Sequence, residues 1–128
     1  MERWLAYEKE KFQIEHIDRF TGGNQEITIF FSDKKRVKYA LHFDLIIDFR
    51  YTVEDTFCHR AAQRPWTESE QSACVYVVED SDYLKFFKEQ SAGIFPIDGI
   101  RHFIVFDAID TAIELLAEGN PVLTEVID

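Results

Sequence analysis

Between Val37 and Val53 the odd positions alternate without a miss. Val37, Tyr39, Leu41, Phe43, Leu45, Ile47, Phe49, Tyr51 and Val53 are all apolar or aromatic, whereas the even positions read Lys38, Ala40, His42, Asp44, Ile46, Asp48, Arg50 and Thr52. A period of two places one row on a buried sheet face and the other on a wetter one. At about 3.3 Å per residue a straight strand of this length reaches roughly 56 Å. A compact chain of this size has a radius of gyration of only about 14 Å. The strand must therefore bend, coil strongly or break in two, and the charge of Asp44 marks the place.

The flanking segments predict further elements. Residues 11–20 alternate noisily as a first strand. Thr21-Gly22-Gly23-Asn24-Gln25 then supplies residues tolerant of positive φ, and Glu26 to Ser32 alternates again, which together predict a hairpin. Asp33-Lys34-Lys35-Arg36 is a polar turn into the long strand, completing an antiparallel meander. Beyond it, Val53, Phe57 and Ala61 recur every fourth residue behind Thr52, predicting a helix to Gln63 that Pro65 stops, with a continued bulged strand as the competitor. Ala73 to Val78 reads as a buried strand. Ser81 caps a helix carrying Tyr83, Leu84 and Phe87, which Gly93 ends. Ile100 to Phe106 is another strand. Asp107 then caps a helix with Ile109, Ala112, Ile113 and Leu116 on one stripe, and Gly119-Asn120-Pro121 terminates it. The tail from Val122 to Ile127 is suited to pairing with a sheet edge. This order predicts one α+β domain over residues 1–128, an antiparallel meander sheet packed against two or three helices.

Composition agrees with a folded domain. With 128 residues, 46% of them hydrophobic and 15% aromatic, the chain can bury about two thirds of its unfolded surface without a staple. Cys58 and Cys74 lack the spacing of metal ligands and the density of a disulfide scaffold, which predicts reduced thiols in the cytoplasm. No apolar run approaches the ~18 residues of a membrane span. Charge is uneven: through Pro65 eleven acidic residues balance eleven basic ones, whereas from Trp66 onward thirteen Asp and Glu face only Lys85, Lys88 and Arg101. The net charge of −10 thus lies in the second half. Nucleic acid is disfavoured, since phosphates reward Lys and Arg, and a basic protein partner is the complement. Solubility alone also accounts for such a charge.

Candidate chemistry is sparse. If the long strand were unbroken, His42, Asp44, Asp48 and Arg50 would share one face, where an Asp could orient a His base; a plain solvated row is the alternative. Cys58-His59, Cys74 and His102 lack zinc-type pairing. Gly22-Gly23 lacks the Lys-Ser/Thr of a phosphate loop. Neither a cofactor nor a metal site is expected. The acidic groups Glu68, Glu70, Glu79, Asp80, Asp82, Glu114 and Glu118 can instead gather into a surface that steers a Lys/Arg-rich partner. Homodimerisation through an open sheet edge is a further possibility.

From Ser81-Asp82-Tyr83-Leu84 through Phe87 to Arg101-His102-Phe103-Ile104-Val105-Phe106, then Ile113-Glu114-Leu115-Leu116 and Pro121, the C-terminal third resembles small bacterial immunity-type proteins encoded near polymorphic toxins. The resemblance implies a cytoplasmic, non-enzymatic antitoxin that occludes a basic toxin, and it carries no catalytic motif.

Overall fold

The computed structural model describes residues 2–8, 11–53, 73–91, 99–108 and 111–127. Nine strands and one helix occur among them: β1 (Arg3–Ala6), β2 (His16–Gly23), β3 (Glu26–Ser32), β4 (Lys38–Phe43), β5 (Ile46–Val53), β6 (Val75–Glu79), α1 (Asp82–Gln90), β7 (Ile100–Phe106), β8 (Thr111–Glu118) and β9 (Val122–Glu125). They form two antiparallel sheets, a five-stranded one in the order β1-β6-β7-β8-β5 and a four-stranded one in the order β2-β3-β4-β9. The fold is therefore mostly β, not the α+β meander with two or three helices that the sequence pattern predicts.

The long alternating run does break at Asp44. Leu45 takes φ +52°, and the chain passes there from one sheet to the other. β4 continues the hairpin, with Ile27 opposite Phe43 and Phe31 opposite Tyr39. β5 instead pairs with β8, Phe49 facing Leu115 and Tyr51 facing Ile113, with a register shift between Ile46 and Asp48. The alternation changes phase at the break: Leu41 and Phe43 are buried, Leu45 is exposed, and Ile46 is buried. Two backbone bonds fix the corner, Ile46 N to Gln25 O at 2.7 Å and Glu118 N to Leu45 O at 3.2 Å.

One apolar core lies between the sheets. Ile27, Ile29, Phe31, Leu41 and Phe43 enter from the four-stranded sheet; Val75, Phe103, Val105, Ile113, Leu115 and Ala117 enter from the other. The Phe43 and Phe103 rings meet edge to face with centroids 5.3 Å apart, a favourable aromatic geometry. Cys74 packs at the margin of this core, and burial pushes its thiol pKa up, in keeping with a small packing residue. The opposite face of the five-stranded sheet carries a second row, including Tyr76, Ile104 and Leu116, and α1 covers part of it through Tyr83, Leu84 and Phe87.

Burial on both faces explains the misread helix at 107–119. Ala112 to Ala117 are all buried, so β8 is a continuous apolar run, whose spacing also satisfies a helical stripe. Pairing on both edges, with β7 and β5, overrides the helix propensity of Ala, Leu and Glu. Asp107 makes the bond expected of a cap, its Oδ1 accepting from Thr111 N at 3.0 Å. It does so in a strand connection, while its Oδ2 accepts from Ile17 N at 2.9 Å.

The hairpin within residues 21–25, which turns at Asn24-Gln25 with Gly22 and Gly23 still paired in β2, the start of the helix behind Ser81, the strand from Ile100 and the pairing of the tail, as β9 on β4, match the sequence expectations. α1 ends at Gln90, and Gly93 lies outside the described residues. The first strand starts later, at His16, and β1 carries no alternation long enough to reveal it. Thr52 and Val53 belong to β5; the remainder of the helix proposed to Gln63, and the Trp66 loop, lie outside the described residues.

Phe103 is fully buried and touches the rings of both Phe43 and Tyr7. Phe103→Ala should lower unfolding stability by about 3–5 kcal/mol in urea titration with unchanged slope. Phe86→Ala, on a residue 51% exposed on α1, should stay within about 0.5 kcal/mol.

Candidate functional site

The strand register brings the acidic candidates of the second half to one end of the five-stranded sheet. Trp4, Val78, His102, Leu116 and Asp48 lie opposite one another across the five strands. Beyond that row, toward the same end, come Glu79, the Asp80 turn, Asp82 at the start of α1, and Glu118 opposite Ile100. The Leu45 corner, with Asp44 beside it, closes this end. Glu79, Asp80, Asp82 and Glu118 are exposed. Asp80 is engaged by Lys85 at 2.6 Å, whose hydrogen bond and charge hold the Asp80 carboxyl down at about 2. Arg101 is drawn aside, donating to Gly119 O at 3.0 Å and to Asn120 Oδ1. Glu68 and Glu70 lie outside the described residues, as do Cys58 and His59.

Glu114 does not belong to this surface. It is 2% exposed, and its Oε1 accepts from fully buried His102 Nε2 at 2.8 Å. His102 Nδ1 lies 2.7 Å from Ser81 Oγ, which also accepts from Leu84 N at 3.0 Å as the N-cap of α1. These bonds are mutually satisfied when Ser81 donates its hydroxyl proton to Nδ1 and Nε2–H donates to Glu114, an assignment made from the network. The Ser-His-Glu connectivity is that of a hydrolase triad. Its hydroxyl is 4% exposed and already serves as a helix cap, so the chain of bonds pins α1 to the sheet. Asp82 N donates to buried Glu2 at 2.8 Å, placing a carboxylate at the positive end of the same helix.

The row His42, Asp44, Asp48 and Arg50 is divided between the two outer faces of the sandwich. Asp48 and Arg50 face α1: Tyr83 donates to Asp48 Oδ2 at 2.8 Å, and the Arg50 guanidinium lies 3.7 Å from the centre of the Tyr83 ring. Burial and the Asp48 charge raise the Tyr83 pKa far above its ordinary value, so it stays a donor. His42 projects from the four-stranded sheet opposite Thr28. Its Nδ1 lies 2.7 Å from Thr28 Oγ1, and its Nε2 lies 2.9 Å from Asp44 Oδ1 and 3.7 Å from Glu26 Oε2. The four residues therefore form no common pocket.

Sequence reasoning missed three participants, His102 as the partner of Ser81 and Glu114, and Glu26 with Thr28 beside His42. The hairpin alternation around Lys35 would have found the second pair, since Thr28 and His42 lie seven residues to either side of it. A groove of about 460 Å³ opens between the sheets next to the corner, lined by Phe20, Ile27, Ile46 and Phe49 with Glu26 and Asp48 among its polar residues. Phe20 packs against Phe49 and Tyr51, which remain 46% and 53% exposed.

Removing one partner of a buried hydrogen bond leaves the other unsatisfied. Glu114→Ala takes the acceptor from His102 Nε2–H and should cost about 1–3 kcal/mol by denaturant titration, and Glu114→Gln, which keeps an acceptor for His102, less. Glu118→Ala should change stability by no more than about 0.5 kcal/mol.

No protein-family model, no curated protein and no solved structure matches the chain. Among the described residues no helix is long and apolar enough to cross a membrane.

Proposed function

We propose that this protein is a non-enzymatic, cytoplasmic binding protein of the immunity or antitoxin kind, whose acidic end occludes a basic protein partner. The observation that carries the reading is the placement of exposed Glu79, Asp80, Asp82 and Glu118 at one end of the five-stranded sheet, beside a groove with exposed aromatic rings. Carboxylates at a surface steer a cationic partner and accelerate its encounter. An aromatic groove then adds what surface charge does not, a dry place for the partner. Lys and Arg stems can lie along Phe20 and Phe49 while their charged heads stay in water at the rim of the groove. Inhibition on this account is occlusion: the toxin's basic residues are engaged by carboxylates in place of their substrate.

The resemblance of the C-terminal third to immunity-type proteins supports the same reading, and the buried Ser81-His102-Glu114 chain removes the most enzyme-like feature from consideration as a working site. An immunity protein is encoded next to its toxin, so the product of the adjacent reading frame is the partner to test. Its association rate with this protein, followed by stopped-flow fluorescence, should fall steeply as salt rises. The triple variant Glu79→Gln, Asp82→Asn, Glu118→Gln should associate at least about tenfold more slowly at low salt. A rate indifferent to salt and to these substitutions would contradict the charge-steering mechanism, and failure of co-expression to protect cells from the adjacent product would contradict the inhibitor reading.

A further inference from the structure

We propose that Glu26, His42 and Asp44 form a binding site for a zinc-type divalent transition-metal ion on the outer face of the four-stranded sheet, built without the carboxylates of the acidic end. The three side chains come from two adjacent strands and the corner that follows them. Ile27 faces Phe43 in the β3/β4 ladder, so Glu26 and Asp44 are the next residues on either side, and Thr28 faces His42 one step back. Period-two alternation puts all four on the same face. One potential ligand atom from each of Glu26, His42 and Asp44 lies within 4.8 Å of the others.

The distances suit coordination. Zinc holds imidazole nitrogen and carboxylate oxygen at about 2.0–2.2 Å, which puts tetrahedral ligand atoms roughly 3.4 Å apart. His42 Nε2 is 2.9 Å from Asp44 Oδ1 and 3.7 Å from Glu26 Oε2, one separation on each side of that figure. Small rotations of two exposed carboxylates would therefore centre an ion. The imidazole is oriented from behind: Thr28 Oγ1, 2.7 Å from Nδ1, can accept from Nδ1–H and leave the Nε2 lone pair directed at the carboxylates. Ligating histidines are commonly held by such an outer hydrogen bond. Two carboxylates balance the charge of a divalent ion, and the imidazole favours zinc and its neighbours over magnesium or calcium.

Beside the cluster a hollow of about 290 Å³ is lined by Thr21, Gly22, Gly23, Asn24, Glu26 and Thr28. It gives room on the Glu26 side for water or a donor from another molecule to complete the coordination. Three protein ligands and an open position are the arrangement of a zinc site that keeps an exchangeable ligand. Because Asp44 directly precedes the corner, an ion here would also tie that corner to the β3/β4 hairpin.

The test uses the full chain, freed of metal with chelator and titrated with zinc chloride against a chromophoric competitor. One zinc per chain should bind to the wild type and to His16→Ala, whose histidine has Asp18 at 2.8 Å but belongs to no three-ligand cluster among the described residues. His42→Ala, Glu26→Gln and Asp44→Asn should each weaken binding by at least about tenfold, and the positioning variant Thr28→Val by about the same factor. In a nitrogen-15 NMR spectrum zinc should shift the His42 ring signals and leave those of buried His102 in place. The proposal is overturned if the wild type takes up no zinc at micromolar concentration, if His42→Ala binds as the wild type does, or if magnesium or calcium competes on equal terms. Binding of the basic partner is read through the Glu79, Asp82 and Glu118 variants, none of which touches this cluster, so either result can fail without the other.

Discussion

At Leu45 the backbone turns into the left-handed region and the chain leaves one sheet for the other. A non-glycine residue there costs roughly 1–2 kcal/mol, so neighbouring interactions must hold it. Phe43 before the corner and Ile46 after it are both buried in the shared core, and the backbone bonds to Gln25 and Glu118 leave little freedom between them. The placement of the rest follows. Asp44 is released from strand pairing and swings to His42, Glu118 and the acidic end lie alongside, and Phe49 and Tyr51 are carried to the open side of the sandwich where Phe20 meets them. Had the alternation continued in one sheet, the acidic end and the Phe20 groove would not lie beside this corner.

The second constraint is the covered face of the five-stranded sheet. An antiparallel sheet commonly leaves one face wet, yet here α1 and the N-terminal Trp4 lie against it. His102 and Glu114 are consequently sealed inside, and a buried charge is tolerated only with a partner and hydrogen bonds. Ser81 provides the continuation and caps α1 with the same oxygen. One serine thus joins helix termination, helix docking and satisfaction of a buried polar pair, which is why a single helix can sit stably on a sheet with which it shares so few apolar side chains.

Much of the local architecture was legible. Alternation in Glu26–Ser32 and Lys38–Phe43, the turn-forming Asn24-Gln25 of the hairpin and Ser81 ahead of Asp82 each express a short-range rule, and the structure follows them. The break at Asp44 was legible too, because a straight strand would outrun the molecule. What could not be read was which sheet the chain enters afterwards, since Phe49 and Tyr51 satisfy the same alternation in either. β8 was misread for a related reason: a strand buried on both faces loses its period, and Ala112 through Ala117 then fit a helical stripe equally well. The acidic candidates divided along the same line. Glu79, Asp80, Asp82 and Glu118 lie at element ends, where composition alone implies exposure, whereas Glu114 sits mid-strand and is buried by partners distant in sequence. The grouping of Glu26 and Thr28 with His42 depended on cross-strand register, which alternation within one strand does not specify.

The functional account inherits this geometry. Acidic end and aromatic groove both depend on the chain changing sheets at Leu45, and cross-strand proton contacts measure that change directly. In an NMR spectrum of the whole protein, backbone contacts should place Phe43 opposite Ile27 but Phe49 opposite Leu115 and Tyr51 opposite Ile113. Absence of the Phe49–Leu115 and Tyr51–Ile113 contacts, with the Phe43–Ile27 contact intact, would mean that the chain does not enter the second sheet after Asp44, and would contradict the account.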